Sequence, residues 1–326
     1  MVKVSVVVIA YNLADKIAAC LGSILHQDFS DYEVIVVDDG SVNGTAEKVN
    51  SYPVRLVKQR NQGRGAARNA GARVSRGEMI VFLDGDCIVG RDFVRKMVLP
   101  LQNPKIGMTQ GYIDIANPEN LIARLSFMRA RHMFKDLQYL DFAWGAAMGM
   151  KRNLFERMGG FNDSIKFGEE DDLAYRLLDA AYMIYLVKEA RFFNHFTESL
   201  WKHLSRHAKT ARWMVRLLRV TRRYTTQHFP LVKYFQLLVH ALAILSLPLL
   251  LLEEIPLLIA EELPFLVSLS ASVISHLRLA CWAIKKDVRY VLIIPFEFLT
   301  VISWLVGSAM GLGDVVLRSN LRKANS

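Results

Sequence analysis

Residues 78–86 read EMIVFLDGD, an almost unbroken apolar run that ends in two carboxylates around one glycine. Two upstream stretches are also apolar runs that end in polar or acidic residues, VSVVVIAYN at residues 4–12 and EVIVVDDGS at residues 33–41. Continuous apolar runs of this length are typical of strands that are buried on both faces, as in parallel sheets. The three stretches therefore predict an α/β fold with a Rossmann-like, mostly parallel sheet, whose ligands bind at the carboxyl ends of the strands.

A crossover helix is predicted between the first two runs. Apolar residues repeat there at helical spacing: Ile17, Cys20, Leu21 and Ile24. A helix whose apolar stripe packs on the sheet is the usual connection between parallel strands.

Composition narrows the class of protein. The length of 326 residues leaves room for roughly two domains. The hydrophobic content of 52% excludes a disordered chain, and the formal net charge is +10. Cys20, Cys87 and Cys281 lie far apart without C-x-x-C spacing, which argues against a disulfide scaffold or a zinc cluster. The positive charge predicts an anionic partner, which could be nucleic acid, acidic lipid or a phosphorylated substrate.

Much of that charge lies between residues 199 and 228, where we predict a basic amphipathic helix. An apolar stripe runs from Trp201 to Leu218. Basic residues supply the polar face: Lys202, Arg206, Lys209, Arg212, Arg216, Arg219, Arg222 and Arg223. Such a helix suits the interface of an anionic bilayer, and the alternative is a solvated basic helix packed on the core. We expect no nucleic-acid partner, because these charges directly precede apolar segments and lie outside the α/β domain.

Residues 229–326 are dominated by Leu, Ile, Val and Ala. They predict an all-α transmembrane region of about three helices, near residues 231–252, 263–283 and 290–313, followed by a short basic tail. The positive-inside rule places the basic connections in the cytoplasm. We therefore expect a multi-pass cell-membrane protein whose α/β domain, residues 1–198, lies on the cytoplasmic side.

Carboxylates follow two of the predicted strands. Asp84 and Asp86 offer hard oxygen ligands, which suit Mg²⁺ or Mn²⁺ shared with phosphate oxygens, although D-x-D also occurs in ordinary turns. Asp38 and Asp39 end the preceding strand, in a DGS sequence that is also common turn chemistry.

Basic side chains follow in RNQGRGAARNAGA, residues 60–72. Arg64 and Arg68 are four residues apart and would share one face of a helix. A diphosphate at the start of that helix would meet both backbone donors and guanidinium groups.

A second helix, predicted within KFGEEDDLAYRLLDAAY at residues 166–182, opens with four acids. These are Glu169, Glu170, Asp171 and Asp172. Acids at a helix N-terminus are stabilised by the dipole, so a favourable cap explains part of the cluster. Like charges this dense also favour a shifted pKa and a general base. His195, after an aromatic run, is either a metal ligand or a surface histidine.

Taken in order over residues 3–198, these motifs resemble the family 2 glycosyltransferases of GT-A fold. The shared elements are AYN, VVDDGS, N-x-G-x-x-x-A-R-N-x-G, FLDGD, GGFND, G-E-E-D-D-L-x-x-R and the late histidine. The resemblance implies a nucleotide-sugar donor, expected to be a UDP-sugar with GDP- and dTDP-sugars as alternatives. It also implies a Mg²⁺ or Mn²⁺ cofactor.

The resemblance also assigns roles to residues. It places Ala10, Tyr11, Asn12, Asp39, Asp84 and Asp86 around the donor, and Asp84, Asp86 and His195 in the metal shell. With Asp38, Arg64 and Arg68 from the patterns above, these residues make up the candidate donor site. The family's base motif, E-D-x-D-L, aligns with residues 169–173 and makes Glu170 the base, with Asp171 as the alternative and Glu169 beside them. Residues 209–213 read KTARW and lack the glutamine of Q-x-x-R-W, which favours non-processive transfer.

The expected function is inverting transfer of a sugar to a lipid-linked acceptor at the cytoplasmic face, in polysaccharide or glycolipid biosynthesis. The acceptor would be a lipid-linked glycan or a polyprenyl phosphate, close to anionic membrane lipid. The alternative is a non-catalytic membrane scaffold or a nucleotide-sensing protein that retains the GT-A domain. The clustered acids at positions 84, 86 and 169–172 argue against that alternative.

Overall fold

The computed structural model describes residues 3–221, with side chains up to residue 212, and single helical positions between 293 and 310. The chain divides into two compact units. The first comprises residues 1–119 and 133–196, and the second comprises residues 120–132 and 197–326. The first unit thus ends close to the predicted domain boundary at residue 198, but a segment before residue 133 belongs to the second unit.

Strands and helices alternate through the first part of the chain. The strands in the described residues are β1 (Val4–Ala10), β2 (Tyr32–Asp38), β3 (Arg55–Lys58), β4 (Met79–Asp84), β5 (Cys87–Val89), β6 (Ile106–Ile115), β7 (Tyr139–Leu140), β8 (Ala147–Lys151) and β9 (Met183–Asn194). The helices are α1 (Ile17–Leu25), α2 (Thr45–Val49), α3 (Arg64–Val74), α4 (Phe93–Val98), α5 (Leu121–Phe134), α6 (Arg152–Arg157), α7 (Glu169–Asp179) and α8 (Leu200–Thr221).

All the described strands join one sheet, in the order β3-β2-β1-β4-β8-β6-β9-β5, with β7 also paired to β9. Strands β1 to β4 pair in parallel, as do β6 and β9, whereas β8 runs antiparallel to both β4 and β6. Strands β5 and β7 run antiparallel to β9. The sheet is therefore mixed, and the prediction of a mostly parallel sheet is wrong for its second half. Strand β8 runs antiparallel to both of its neighbours, and antiparallel neighbours do not require the helical crossover that connects parallel strands.

The core of the first unit lies on both faces of this sheet. All seven residues of β1 are buried, as its continuous apolar run predicted. Helix α1 buries the predicted stripe, Ile17, Cys20, Leu21 and Ile24, which confirms the crossover helix. On β4, the ring of Phe82 packs against Phe155 at 5.2 Å and Phe161 at 5.3 Å between centroids. These rings hold the segment before α7 against the sheet.

The ends of three parallel strands meet at one edge of the sheet. Ala10 pairs with Asp38, and Ile9 pairs with Asp84. The next residue, Gly85, donates its N–H to the carbonyl of Ile9 at 2.9 Å, and a Cβ at this position would lie 2.9 Å from the same oxygen. A glycine between the two aspartates is therefore needed for close approach of the backbones.

The second unit has a small core of its own. Leu125 and Met128 of α5 pack with Ile293 and Phe296. His203 of α8 is buried between the Ser126 hydroxyl and the Thr300 hydroxyl, each 3.0 Å from a ring nitrogen.

Helix α8 exposes basic residues and one tryptophan, and it buries part of its apolar stripe. Lys202, Arg206 and Lys209 are exposed, and so is Trp201, at 77%. Ala211 is only 1% exposed, and a Cβ on Gly307 would lie 2.0 Å from the Ala208 carbonyl oxygen. This part of the apolar stripe thus packs within the second unit, which matches the alternative of a basic helix packed on its neighbours. The remainder, from residue 213 to Leu218, lies outside the described side chains.

Within the residues that the structure describes, no helix is long and apolar enough to cross a membrane. The predicted spans 231–252 and 263–283 lie wholly outside the described residues, and the span 290–313 lies largely outside them.

Candidate active site

Asp39 organises the loop that leads into α3. Its carboxylate accepts hydrogen bonds from Gln59 Nε2 at 2.7 Å and from the backbone N–H groups of Gln62 and Gly63, both at 2.9 Å. Gly63 has φ 95°, a left-handed conformation that glycine adopts without strain. The Asp39 carboxylate therefore fixes the start of the helix, and its contact with a nucleoside stays a prediction.

The other expected nucleoside residues lie around the ends of β1 and β2. Asn12 has φ 54°, and its Oδ1 accepts a hydrogen bond from the Val42 N–H at 3.0 Å. Asp38 is buried and accepts one from the Ser41 N–H at 3.2 Å. Ala10 is buried, whereas Tyr11 is 50% exposed. The structure therefore brings the predicted residues together and leaves Tyr11 accessible to a ligand.

Arg68 occupies a different place from the one expected. Its side chain is fully buried and donates hydrogen bonds to Glu169 Oε1 at 2.8 Å, to Asp84 Oδ1 at 3.0 Å and to the Gly145 carbonyl at 2.8 Å. It is thus enclosed by protein groups, in contrast to the expected contact with a diphosphate. Arg64, the other arginine of this face, has a side chain that is 40% exposed and is accessible to an anion.

The first two acids of α7 are in different electrostatic states. Arg64 Nε lies 3.3 Å from Glu169 Oε1, and Arg64 Nη2 lies 4.0 Å from Glu170 Oε1. Burial, followed by the charge of Glu169, raises the pKa of Glu170 to about 7, although Arg64 opposes the shift. A carboxylate with a pKa near the working pH is suited to general base catalysis.

The other two acids are less suited to that role. Burial, followed by the charge of Glu170, raises the pKa of Asp171 well above its ordinary value. Its carboxyl also accepts a hydrogen bond from the Ala143 N–H at 3.4 Å. Asp172 is ion-paired with Arg176 of the same helix, whose Nε donates at 2.9 Å. Asp172 is therefore held in an ion pair within α7, whereas Glu170 is the acid of this turn whose pKa lies near neutral pH.

Gly145 allows this cluster to assemble. A Cβ on Gly145 would lie 2.8 Å from Arg68 Nη2 and 3.1 Å from Glu170 Oε1. A larger residue at position 145 would therefore displace Arg68 or Glu170.

The expected metal ligands lie near one another but do not form a closed set. Pairing of Cys87 with Asn194 brings β5 beside β9, and His195 Nδ1 lies 3.3 Å from the Asp86 carbonyl oxygen. In the described part of the chain, no group of three or more His, Cys, Asp or Glu side chains has the arrangement of a metal site. The role of His195 in the metal shell therefore stays a prediction.

The two aspartates nevertheless fit a divalent cation. Burial, followed by the negative charge of Asp84, raises the pKa of Asp86, and Lys16 and His195 only partly offset this. Arg68 occupies Oδ1 of Asp84. Two like charges held close together in a partly buried place are stabilised by a hard cation, for which carboxylate oxygens are suitable ligands.

The structure adds a residue that sequence reasoning missed. Asp141 lies in the loop between β7 and β8, and its charge contributes to the raised pKa of Asp171. Neither carboxylate oxygen has a hydrogen-bond partner in the described residues, and burial raises the pKa of Asp141 to about 6. The one available signal was an acid between Leu140 and Phe142 in an aromatic-rich loop.

We expect Asp141→Asn to stabilise the chain at alkaline pH. The pKa of Asp141 is raised in the folded state, so stability falls as pH rises through about 4 to about 6. Asparagine removes the charge and nearly keeps the shape. The melting temperature should rise by about 2–4 °C at pH 8, as for a gain of about 1 kcal/mol, and stay unchanged at pH 4. The exposed Asp136 supplies the control: Asp136→Asn should have no effect at either pH. A destabilised Asp141→Asn chain at pH 8 would show that the charge is compensated.

Comparisons with known proteins agree with this geometry. Residues 5–159 match the family described as Glycosyl transferase family 2. Glycosyltransferase AglE of Haloferax volcanii is 28% identical over 191 residues, which cover 56% of this chain and 63% of that protein. Succinoglycan biosynthesis protein ExoO of Rhizobium meliloti is 44% identical over 99 residues, 29% of this chain and 28% of that protein. These alignments thus span less than two thirds of each relative.

A solved structure supports the fold. The mannosyltransferase PcManGT from Pyrobaculum calidifontis, in complex with GDP-Man and Mn²⁺, superposes with a TM-score of 0.61 at 22% identity. The match covers 96% of this chain and 87% of that one. Residues 5–159, with the strand-end acids described above, thus match Glycosyl transferase family 2, and the fold resembles that of a solved mannosyltransferase.

Proposed function

We propose that the chain is an inverting, metal-dependent glycosyltransferase that moves a sugar from a nucleotide-sugar donor to an acceptor hydroxyl. The observation that carries this proposal is the position of Glu170. Its carboxyl has a pKa of about 7 and lies at the first turn of α7. Through Glu169 and Arg68, this turn is linked to Asp84 at the end of β4.

The proposed reaction follows from these positions. Glu170 takes the proton of the acceptor hydroxyl, and the oxygen attacks C1 of the sugar in line with the leaving group. The new C1–O bond forms as the bond from C1 to the diphosphate breaks, so the configuration at C1 inverts without a covalent enzyme intermediate. Negative charge develops on the departing diphosphate, and the exposed guanidinium of Arg64 would stabilise it.

Asp84 and Asp86 would hold the Mg²⁺ or Mn²⁺ ion, and His195 is proposed as a further ligand. When bound, the ion supplies positive charge to the diphosphate oxygens. The donor is proposed to be a UDP-sugar, with GDP- and dTDP-sugars as alternatives. Tyr11, half exposed beside Asn12, would contact its nucleoside.

The acceptor is proposed to be a lipid-linked glycan or a polyprenyl phosphate, at the cytoplasmic face of the cell membrane. Support comes from the outward charge of α8, where Lys202, Arg206 and Lys209 are exposed. Basic side chains near a bilayer attract anionic headgroups and phosphate, at about 1 kcal/mol per residue.

A donor panel tests the proposed activity. The full-length chain is incubated with UDP-, GDP- and dTDP-sugars, Mn²⁺ or Mg²⁺, and membrane extract as acceptor, and release of nucleoside diphosphate is measured. Transfer from one donor, dependent on both extract and metal, is expected. Donor binding without any turnover would overturn the proposal in favour of a nucleotide-sensing protein.

Charge reversal on α8 tests the membrane contact. We expect anionic lipid to stimulate the initial rate of the full-length chain in reconstituted vesicles, and added salt to reduce this stimulation. Replacing Lys202, Arg206 and Lys209 by glutamate should largely abolish it. The control is the same replacement at three exposed basic residues of the first unit, Lys48, Arg73 and Lys105. Equal stimulation in both triple variants would show that α8 has no special contact with lipid.

A further inference from the structure

Arg68 has the largest fully buried side chain among the described residues, with 0% of its surface exposed. Burying a guanidinium group is costly unless it is both paired and hydrogen-bonded. The groups that pair with Arg68 must therefore offset the cost of burying its charge.

These partners belong to both halves of the candidate site. Arg68 Nη2 bonds Asp84, the carboxylate at the end of β4, and Arg68 Nη1 bonds Glu169, the first residue of α7. A third hydrogen bond holds Gly145, which lies against Glu170. A planar guanidinium can donate to two carboxylates at fixed angles, which the point charge of lysine cannot do.

The surroundings of Arg68 strengthen these contacts. The ring of Phe161 lies 5.4 Å from its Cζ. The neighbouring Asn69 ties α3 to the backbone of Phe161 through bonds of 2.8 and 2.9 Å. Electrostatic interactions are stronger where water is excluded. Arg68 is thus held in one orientation by groups outside the acid cluster.

We propose that Arg68 is a positioning residue that couples the donor-binding Asp84 to the base Glu170, through its hydrogen bonds to Asp84, Glu169 and Gly145. This inference rests on the proposed function and deepens it. Arg68 contacts neither the donor nor the acceptor, and it acts by fixing α7 and the charge of Glu169.

The charges of the two glutamates agree with this role. Burial alone would raise the pKa of Glu169, but Arg64 and Arg68 outweigh burial and hold this pKa below its ordinary value. Glu169 therefore stays ionised, and its charge helps to raise the pKa of the adjacent Glu170. Of the two glutamates, Glu170 is consequently the one that takes up and releases a proton near neutral pH, and its ionised form is the one proposed to take the proton of the acceptor. The charged groups that face this pair are Arg64, Arg68, Asp84, Asp141 and Asp171.

Substitutions at both ends of the bridge test the inference in the full-length chain. Arg68→Gln removes a positive charge next to the pair, so the midpoint of the acid limb of the pH–rate profile should move up by roughly one unit. Glu169→Gln removes a negative charge, so the midpoint should move down by a similar amount. Arg68→Lys keeps the charge but not the two-sided geometry, and should lower kcat by on the order of 10²-fold with donor Kd changed much less.

Arg176 provides the matched control, because it forms a similar ion pair with Asp172 within α7 and does not contact Glu169. Arg176→Gln and Arg176→Lys should lower the melting temperature without moving the pH midpoint. Should Arg68→Gln not fold, Arg68→Lys and Glu169→Gln decide the matter. The inference is overturned if folded Arg68 variants keep the parental kcat and midpoint, or change only in step with the Arg176 variants.

An infrared titration separates this inference from the proposed function. The carboxyl stretching band that disappears in Glu170→Gln reports the protonation of Glu170 without any substrate. Its midpoint should shift in the same directions in Arg68→Gln and Glu169→Gln. If the parental chain fails to transfer sugar but the band shifts, the activity is wrong and the coupling holds. If the chain transfers sugar and the band does not shift, the coupling is wrong.

Discussion

Replacing Glu170 by glutamine is expected to lower turnover by about 10²- to 10⁴-fold, the usual contribution of a general base. Glutamine keeps the length and hydrogen-bonding capacity of the side chain but cannot accept the acceptor proton. Donor affinity should change much less, since the link from α7 to Asp84 runs through Arg68 and Glu169, which the substitution leaves in place. The measurements are kcat with saturating acceptor and donor Kd by titration.

The pH dependence gives this prediction a second test. The pKa of Glu170 is raised to about 7, so the base is protonated below that pH and ionised above it. The rate of the parental chain should therefore rise with pH through about 7. The residual rate of Glu170→Gln should not rise with pH through about 7.

Asp171→Asn serves as the control for the choice of base. Asp171 is buried with a raised pKa, and its carboxyl accepts a hydrogen bond from the Ala143 N–H, so the substitution should alter stability more than the pH dependence of the rate. An inactive Asp171→Asn chain together with an active Glu170→Gln chain would assign the base to the next residue of α7.

The parallel half of the sheet could be predicted from sequence because β-branched and apolar runs mark strands buried on both faces. The run in β1, VSVVVIA, is fully buried, and so is the inward stripe of α1. The antiparallel half gave no such signal. Strand β8, AMGMK, contains no β-branched residue, and its pairing with β4 and β6 depends on contacts between distant parts of the chain.

The residues of the candidate site could also be predicted, but their partners could not. The motifs placed Arg68 near a diphosphate because its helical face and its charge are visible in sequence. Its burial is set by Glu169, 101 residues later, and by Gly145, 77 residues later. In the same way, Asp141 lies in no motif and gains its raised pKa from tertiary burial. For α8, the stripe was visible in sequence, but the surface that covers Ala211 was not.

The second large effect is expected at Asp86. Asparagine keeps the shape of this side chain and removes its charge, so Asp86→Asn should weaken metal-dependent binding of the nucleotide sugar. The loss should exceed the 10- to 100-fold that removal of an outer-shell partner costs, because Asp86 is proposed to bind the ion itself. Turnover at subsaturating Mn²⁺ should fall accordingly. The control is Asp92→Asn, since Asp92 is paired with Lys96 away from the strand ends.

Asp86→Asn is expected to increase the stability of the metal-free protein, although it weakens metal-dependent binding of the donor. In the metal-free chain, Asp86 lies in a partly buried place beside the like charge of Asp84, which raises its pKa and makes its ionised form unfavourable. Asp86→Asn should therefore raise the melting temperature of the metal-free protein at pH 8. The parental chain should gain more stability from added Mn²⁺ than the variant, because the stabilisation by a ligand that binds only the folded state grows with the logarithm of its concentration divided by its Kd. Full activity of the parental chain in excess chelator would contradict the proposed metal site. An unchanged stabilisation of Asp86→Asn by Mn²⁺ would contradict it as well. If Asp86→Asn is more stable than the parental chain without metal but gains less stability from added Mn²⁺, then the charge of Asp86 destabilises the metal-free protein and serves to bind the cation.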